Sequence, residues 1–530
     1  MLINNMNLNK RLNIIYFIFI FIFSILINQY YGNKGICAID SFVYFNSSYD
    51  SLNGFYPFKD YWSITGPFIT FVQMFFFKIF GTSWSSYVFH ASFINFILAI
   101  SVFYTLYNLK LNIHYSFLYS LFVSVIAYPS SGTPYVDHHS AIFSIISLFC
   151  FILAIKKNSN FFWFLLPILL CLSFLTKQAP TGYIFLIITF LSTIYFIFNF
   201  DLKKIICGIL GSILILILII LIFNIGKIPL VDFYEQYILF PLSLGESRYE
   251  LLLFPIDFSE FFLRYKLIHI SSITLIIVAF IKLRKNLRYL ISNEFLVTIS
   301  LITTSYAFIV HQMMTINGMF IFFIIPILIG FSHIYYLDNF KKNNNIINLL
   351  IILSFASTCY YGYKYIHKRD FMDLRQVDMK NTIDGKILSP KLKGLNWKSC
   401  LFYSDDPKNE ISELIKIMKI IDNDKEKKSI ITDYQFISVA LSIYDYSPSQ
   451  VWYGYHVNPQ KNQKYFDIYK KFVLKILNEN KIKVVYLIKP MWGGDNIFEE
   501  VIDSDCLKKE IKNNKLDKYT LLPCKDFKNL

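Results

Sequence analysis

The stretch IICGILGSILILILIILIFNI, residues 205–225, decides the fold class. It contains no charged residue and follows directly on Lys203 and Lys204. A helix of about 20 apolar residues crosses the hydrocarbon core of a bilayer, and this stretch has that length and character. Similar runs cover 13–30, 84–107, 114–128, 138–155, 161–176, 180–199, 264–281, 294–311, 317–337 and 346–364. The sequence therefore predicts a mostly α, polytopic membrane protein of about eleven spans. The first run follows Lys10 and Arg11 but is long and has no small-residue cleavage site, so it reads as an uncleaved helix. Residues 67–80 are apolar but too short to span, which predicts an interfacial helix within a first loop covering 31–83.

Composition agrees. Of 530 residues, 55% are hydrophobic and 16% charged, too apolar for a soluble chain of this size. The formal charge of +15 has no basic, aromatic-interleaved patch behind it, so nucleic acid is not an expected partner. Its basic residues report topology instead. With the N-terminus in the cytoplasm, the inside loops carry Lys110, then Lys156 and Lys157, then Lys203 and Lys204. Lys282, Arg284, Lys285 and Arg288 follow, and finally Lys341 and Lys342. The connections 128–137 and 312–317 have neither Lys nor Arg. This is the positive-inside pattern, and it predicts a C-terminus outside the cytoplasm of a bacterial plasma membrane.

Two domains follow, 1–364 spanning the membrane and 365–530 outside it. The tail is charged and long enough for its own core. Ser429–Thr432 and Ile482–Ile488 read as buried strands, and Tyr469, Phe472, Val473, Ile476 and Leu477 as the apolar face of a helix, so a small α/β fold is expected. Cys506 and Cys524 lie in this tail, and their spacing leaves pairing open.

The polar residues collect in the outside loops. The first holds Asp40, Asp50, Lys59 and Asp60, and the second Asp137, His138 and His139. The third holds Lys177 and Gln178, the fourth Glu235, Glu246, Arg248 and Glu250, and the fifth His311 and Gln312. The inside loops are short and plain. A conduction path would put ionisable groups at mid-membrane depth, so one equipped face favours an enzyme over a transporter. Cations near the headgroups would hold a lipid phosphate, and a carboxylate would deprotonate an attacking hydroxyl or amine. That is the layout for glycosyl transfer from a polyprenyl-phosphate sugar to a lipid, glycan or protein acceptor.

Each residue also has a plainer reading. Asp60 suits a helix cap or a pair with Lys59, and Asp137 suits an N-cap. His138 and His139 diverge by about 100° on a helix, which makes a shared metal awkward. Lys177 could snorkel, Arg248 could pair with Glu246 or Glu250, and His311 could be an interface histidine. The turn MWGGD, 491–495, follows a strand but lacks the spacing of a phosphate loop.

Asp40, the segment NGFYPFKDYWSITGPF and the following FKIFGTSW together resemble the first loop of the GT-C integral-membrane glycosyltransferases. These include the protein O-mannosyltransferases and the aminoarabinose and RgtA-type sugar transferases. Leu175–Gln178, LTKQ, is similar to the lysine-bearing turn of that family. The resemblance covers about the first 200 residues. It implies that Asp40 is the base, that Asp60 or Asp137 orients the acceptor, and that Lys177 with Arg248 holds the departing lipid phosphate. Lys59, His138, Gln178 and His311 are further expected substrate contacts, and a divalent metal is left open. Asp40 is followed by Ser41 where many members have Glu, and Gly66-Pro67 stands where many have Pro-Pro. The rival class is a lipid-linked glycan transporter, or a polymerase or ligase component of envelope polysaccharide assembly.

Overall fold

Long runs of Ile, Leu and Phe, unbroken by glycine pairs or loop residues, satisfy their backbone groups internally as helices. The computed structural model describes residues 2–36, 38–245, 258–315, 318–367, 380–399, 406–454 and 457–527. Its longer helices begin with α1 (Leu2–Gly32), α2 (Ala38–Leu52), α3 (Phe68–Phe80), α4 (Trp84–Asn108), α5 (Ile113–Ile126) and α6 (Val136–Lys156). They continue with α7 (Asn160–Phe174), α8 (Gln178–Phe198), α9 (Leu202–Gly226), α10 (Lys266–Lys285), α11 (Asn293–Met314), α12 (Ile324–Asn339) and α13 (Asn344–Gly362). Every sequence-predicted span thus meets a helix, and 67–80 forms the short helix expected of it.

Among the described residues, eight helices are long and apolar enough to cross a membrane. The chain is accordingly a multi-pass membrane protein. The other three helices at predicted spans, α5, α7 and α12, run 14, 15 and 16 residues. At 1.5 Å per residue they are roughly 21–24 Å long, short of the hydrocarbon core.

The chain divides into two compact units, neither continuous in sequence. The first takes 1–32, 88–219 and 251–371. At its centre is α6, hydrophobic all round and buried over nearly its whole length. Small hydroxyl residues fix its neighbours. Ser173 on α7 donates to the Ser140 carbonyl at 2.9 Å and bonds Ser144 at 2.9 Å and Thr181 at 2.7 Å. Such side chains let helices approach closely and tie them by hydrogen bonds.

The second unit takes 33–87, 220–250 and 372–530. The sequence reading kept 31–83 with the membrane part as a loop, but here much of it folds with the tail. Three strands, β1 (Lys34–Ile36), β2 (Ile383–Asp384) and β3 (Asn396–Ser399), form one sheet in the order β1-β3-β2. The other sheet has β4 (Lys428–Thr432), β5 (Val484–Ile488), β6 (Leu507–Asn513) and β7 (Leu516–Leu521), ordered β4-β5-β7-β6. β4 and β5 are parallel, with Ser429 opposite Val485, and the rest of the sheet is antiparallel. Two further helices, α14 (Pro407–Asn423) and α15 (Phe466–Glu479), complete the α/β fold. The predicted face Tyr469, Phe472, Val473, Ile476 and Leu477 is the buried face of α15.

One core holds this unit together. Trp62 and Phe240 are buried in it beside Ile431, Val485, Leu487, Tyr469 and Phe472. Backbone bonds fix the arrangement: Trp62 N–H donates to the Pro448 carbonyl at 2.8 Å, and Gln450 N–H to the Trp62 carbonyl at 2.9 Å. Gln236 donates to the Phe58 carbonyl at 2.9 Å and accepts from Ser63 N–H at 3.0 Å. Cys506 and Cys524 form a disulfide across a Cα separation of 5.4 Å, settling the pairing that spacing left open.

Candidate functional site

Asp40 lies in the first turn of α2, the end of a helix where a negative charge is favoured. In the same unit, Asp433 directly follows β4, and the 491–495 turn lies just beyond β5. Both thus sit at the carboxyl ends of a parallel strand pair, the position where open α/β sheets present ligand sites. The turn is built for close approach. A Cβ on Gly493 would come within 2.7 Å of the Trp452 carbonyl, and Gly494 has φ +96°, so neither position accepts a side chain without strain. Asp495 accepts from Met491 N–H at 3.0 Å and closes the turn, and Trp492 N–H donates to Asp433 Oδ2 at 2.5 Å.

Asp433 is only 1% exposed. Burial pushes its carboxyl up to about 7. The Trp492 amide pulls it down, while the negative charges of Asp40 and Asp495 push it further up. A buried carboxyl that ionises near neutral pH is a candidate for acid–base chemistry. The sequence reading missed Asp433. Its signal was an acidic residue directly after a predicted buried strand. The 452–460 loop is mostly scaffolding: Asn458 binds Tyr453 N–H, Ser449 and Tyr469, while Tyr453 stacks near Trp492.

The other first-loop residues behave differently. Asp60 accepts from Tyr56 N–H at 2.7 Å and pairs with Lys59 at 3.5 Å, so these two predicted site residues chiefly close their own turn. Asp50 and Asp445 are both buried. Burial raises Asp50 well above the usual carboxylate range, with Asp445 and Asp60 adding to it. Burial likewise holds Asp445 at about 6.

In the first unit, Asp137 is 2% exposed in the opening turn of α6. Lys177 Nζ, at the entrance to α8, lies 2.8 and 2.7 Å from its two carboxylate oxygens. His311 Nε2 on α11 is 3.3 Å from Oδ1. The structure thus brings together three residues that the sequence reading drew from three separate loops. Both carboxylate oxygens of Asp137 are thus engaged by the Lys177 ammonium. His138 is held by Ser130 at 3.1 Å and Ser131 at 3.3 Å, and it stacks on Tyr128. His139 faces elsewhere, to Tyr128 at 2.7 Å and His90 at 3.2 Å, as the 100° divergence requires. Gln178 opens α8 and is partly buried, and Gln312 accepts from the Met319 and Phe320 amides. Arg248, with Glu246 and Glu250, lies outside the described residues. Among the described residues no group of three or more His, Cys, Asp or Glu converges as a metal site.

No protein-family model matches this sequence, and no curated protein matches it. The chemistry therefore has to be argued from these side chains.

Proposed function

We propose that the protein is a membrane glycosyltransferase that moves a sugar from a polyprenyl-phosphate donor to an acceptor outside the cytoplasm. In this reading α5, α7 and α12 cross as well, with the bilayer thinning around them, and the N-terminus is cytoplasmic. The observation that carries it is the buried Asp433 at the carboxyl end of β4, on which the negative charge of Asp40 acts. Asp433, ionising near neutral pH, is suited to take a proton, and Asp40 is its charged neighbour. The pair removes the proton from the acceptor's hydroxyl or amine as that atom attacks the sugar's anomeric carbon. The bond from that carbon to the phosphate oxygen breaks, and the lipid phosphate leaves with the electron pair.

The test is transfer from a defined polyprenyl-phosphate sugar by the purified full chain. Asp40→Asn and Asp433→Asn should each lower turnover by about 100-fold or more, the range of a lost general base. Unimpaired turnover in both variants refutes the assignment. The transporter reading draws on a different observation, the Asp137–Lys177–His311 group at the ends of three helices, since ionisable residues within spans mark ion and substrate paths. Lipid-linked sugar crossing a liposome without any transfer would favour it.

A further inference from the structure

We propose that the groove between α7, α8 and α9 holds one anionic phospholipid, drawn from the leaflet opposite the one that Lys177 faces. The groove encloses about 730 Å³, within the range of built small-molecule sites. Leu166, Leu170, Ile188, Ile197, Ile205 and Ile209 make it apolar along its length, as an acyl chain requires. α9 leaves most of its surface uncovered, but at the groove it comes close to α7. A Cβ on Gly211 would come within 2.0 Å of the Phe164 carbonyl, so glycine there sets the closeness of the two helices and hence the depth of the channel.

Two polar features point to the headgroup. Lys204 lines the groove and is 5% exposed, bonded only weakly to Tyr195 at 3.5 Å and paired with Asp201 at 3.1 Å. It shares the first turn of α9 with the exposed Lys203, so two cations stand at the positive end of a helix dipole with one carboxylate between them. That end is left with a net positive charge, which an anion would neutralise. Trp163, also lining the groove, is 4% exposed, and its indole N–H is buried without a hydrogen-bond partner. Ser192 Oγ, on the α8 wall, is likewise buried and unpartnered. Both are suited to oxygens of a lipid ester or phosphate. A basic pocket between spanning helices that opens on an apolar groove is the expected form of an anionic-lipid site.

The occupant is not the proposed sugar donor. Lys177 enters α8 and Lys204 follows its far end, and the 21 residues of α8 separate them. At 1.5 Å per residue that is roughly 30 Å, a full hydrocarbon thickness, so the two lysines serve opposite leaflets whichever way the chain is oriented.

The test uses the full chain in detergent, titrated with phosphatidylglycerol or phosphatidylcholine carrying brominated acyl chains, which quench nearby tryptophan. Phosphatidylglycerol should quench a saturable component at one lipid per chain, and Trp163→Phe should remove that component. Lys204→Gln should weaken phosphatidylglycerol about fivefold, the worth of one lysine near a lipid surface, while Lys203→Gln should weaken it less. Ser192→Phe fills the groove with Lys204 left intact, and should abolish saturable quenching even if Lys204→Gln proves unstable. Equal quenching by the two lipids, unchanged binding in both groove variants, or displacement of phosphatidylglycerol by equimolar polyprenyl phosphate would overturn the proposal.

Discussion

Asp433 sets up a conflict between stability and chemistry that can be measured. Its folded carboxyl sits at about 7, while an unfolded chain would hold it near 4. The folded pKa is raised, so below about pH 4 both states are protonated and the group costs nothing. As pH rises from about 4 to 7 the unfolded state loses its proton first, and stability falls until the folded pKa is passed. A gap of about three units at 1.36 kcal/mol each makes the full loss about 4 kcal/mol. Asp433→Asn keeps an oxygen for the Trp492 amide and removes the charge. The variant should therefore match wild type near pH 4 and exceed it by about 4 kcal/mol at pH 8. Denaturant unfolding followed by tryptophan emission measures this, since Trp62 and Trp452 are buried in the core of the same unit. A stability difference that is the same at both pH values would refute both the raised pKa and the argument for acid–base chemistry.

Transfer activity should rise with pH through about 7 as Asp433 ionises, and Asp433→Asn should remove that limb from the kcat/KM profile. Lys177→Met leaves the buried Asp137 without its ammonium partner, so it should cost about 3–5 kcal/mol in thermal unfolding. Adding Asp137→Asn should recover much of that loss, and a purely additive double variant would count against the pair. Trp62→Ala should cost about 3–5 kcal/mol, seen as early protease cutting in the 372–530 region, because Trp62 is a buried part of that core. Reducing the Cys506–Cys524 bridge, which spans 18 residues, should cost about 3 kcal/mol of denaturant stability.

The sequence alone fixed what depends on runs and periods. Uncharged stretches such as 205–225 have one low-energy fate in lipid, a helix, and the structure has a helix at every such stretch. The face of α15 and the strand 429–432 followed equally from local pattern, because apolar periodicity has to match the core it meets. Length was less legible at α12, which begins at Ile324 where the apolar run was read from 317.

Only the tertiary structure decided which distant residues meet. Asp137, Lys177 and His311 lie in three segments, and nothing local says that Asp137 binds both others at once. The stretch 31–83 read as an outside loop of the membrane domain because its anchors, Trp62 to Pro448 and Ser63 to Gln236, are single long-range contacts with no periodicity. Asp433 drew no notice as a lone carboxylate after a strand. Its chemistry comes from burial, the Trp492 amide and the charge of Asp40, about 390 residues away in sequence, and a pKa set by those neighbours exists only once the chain has folded.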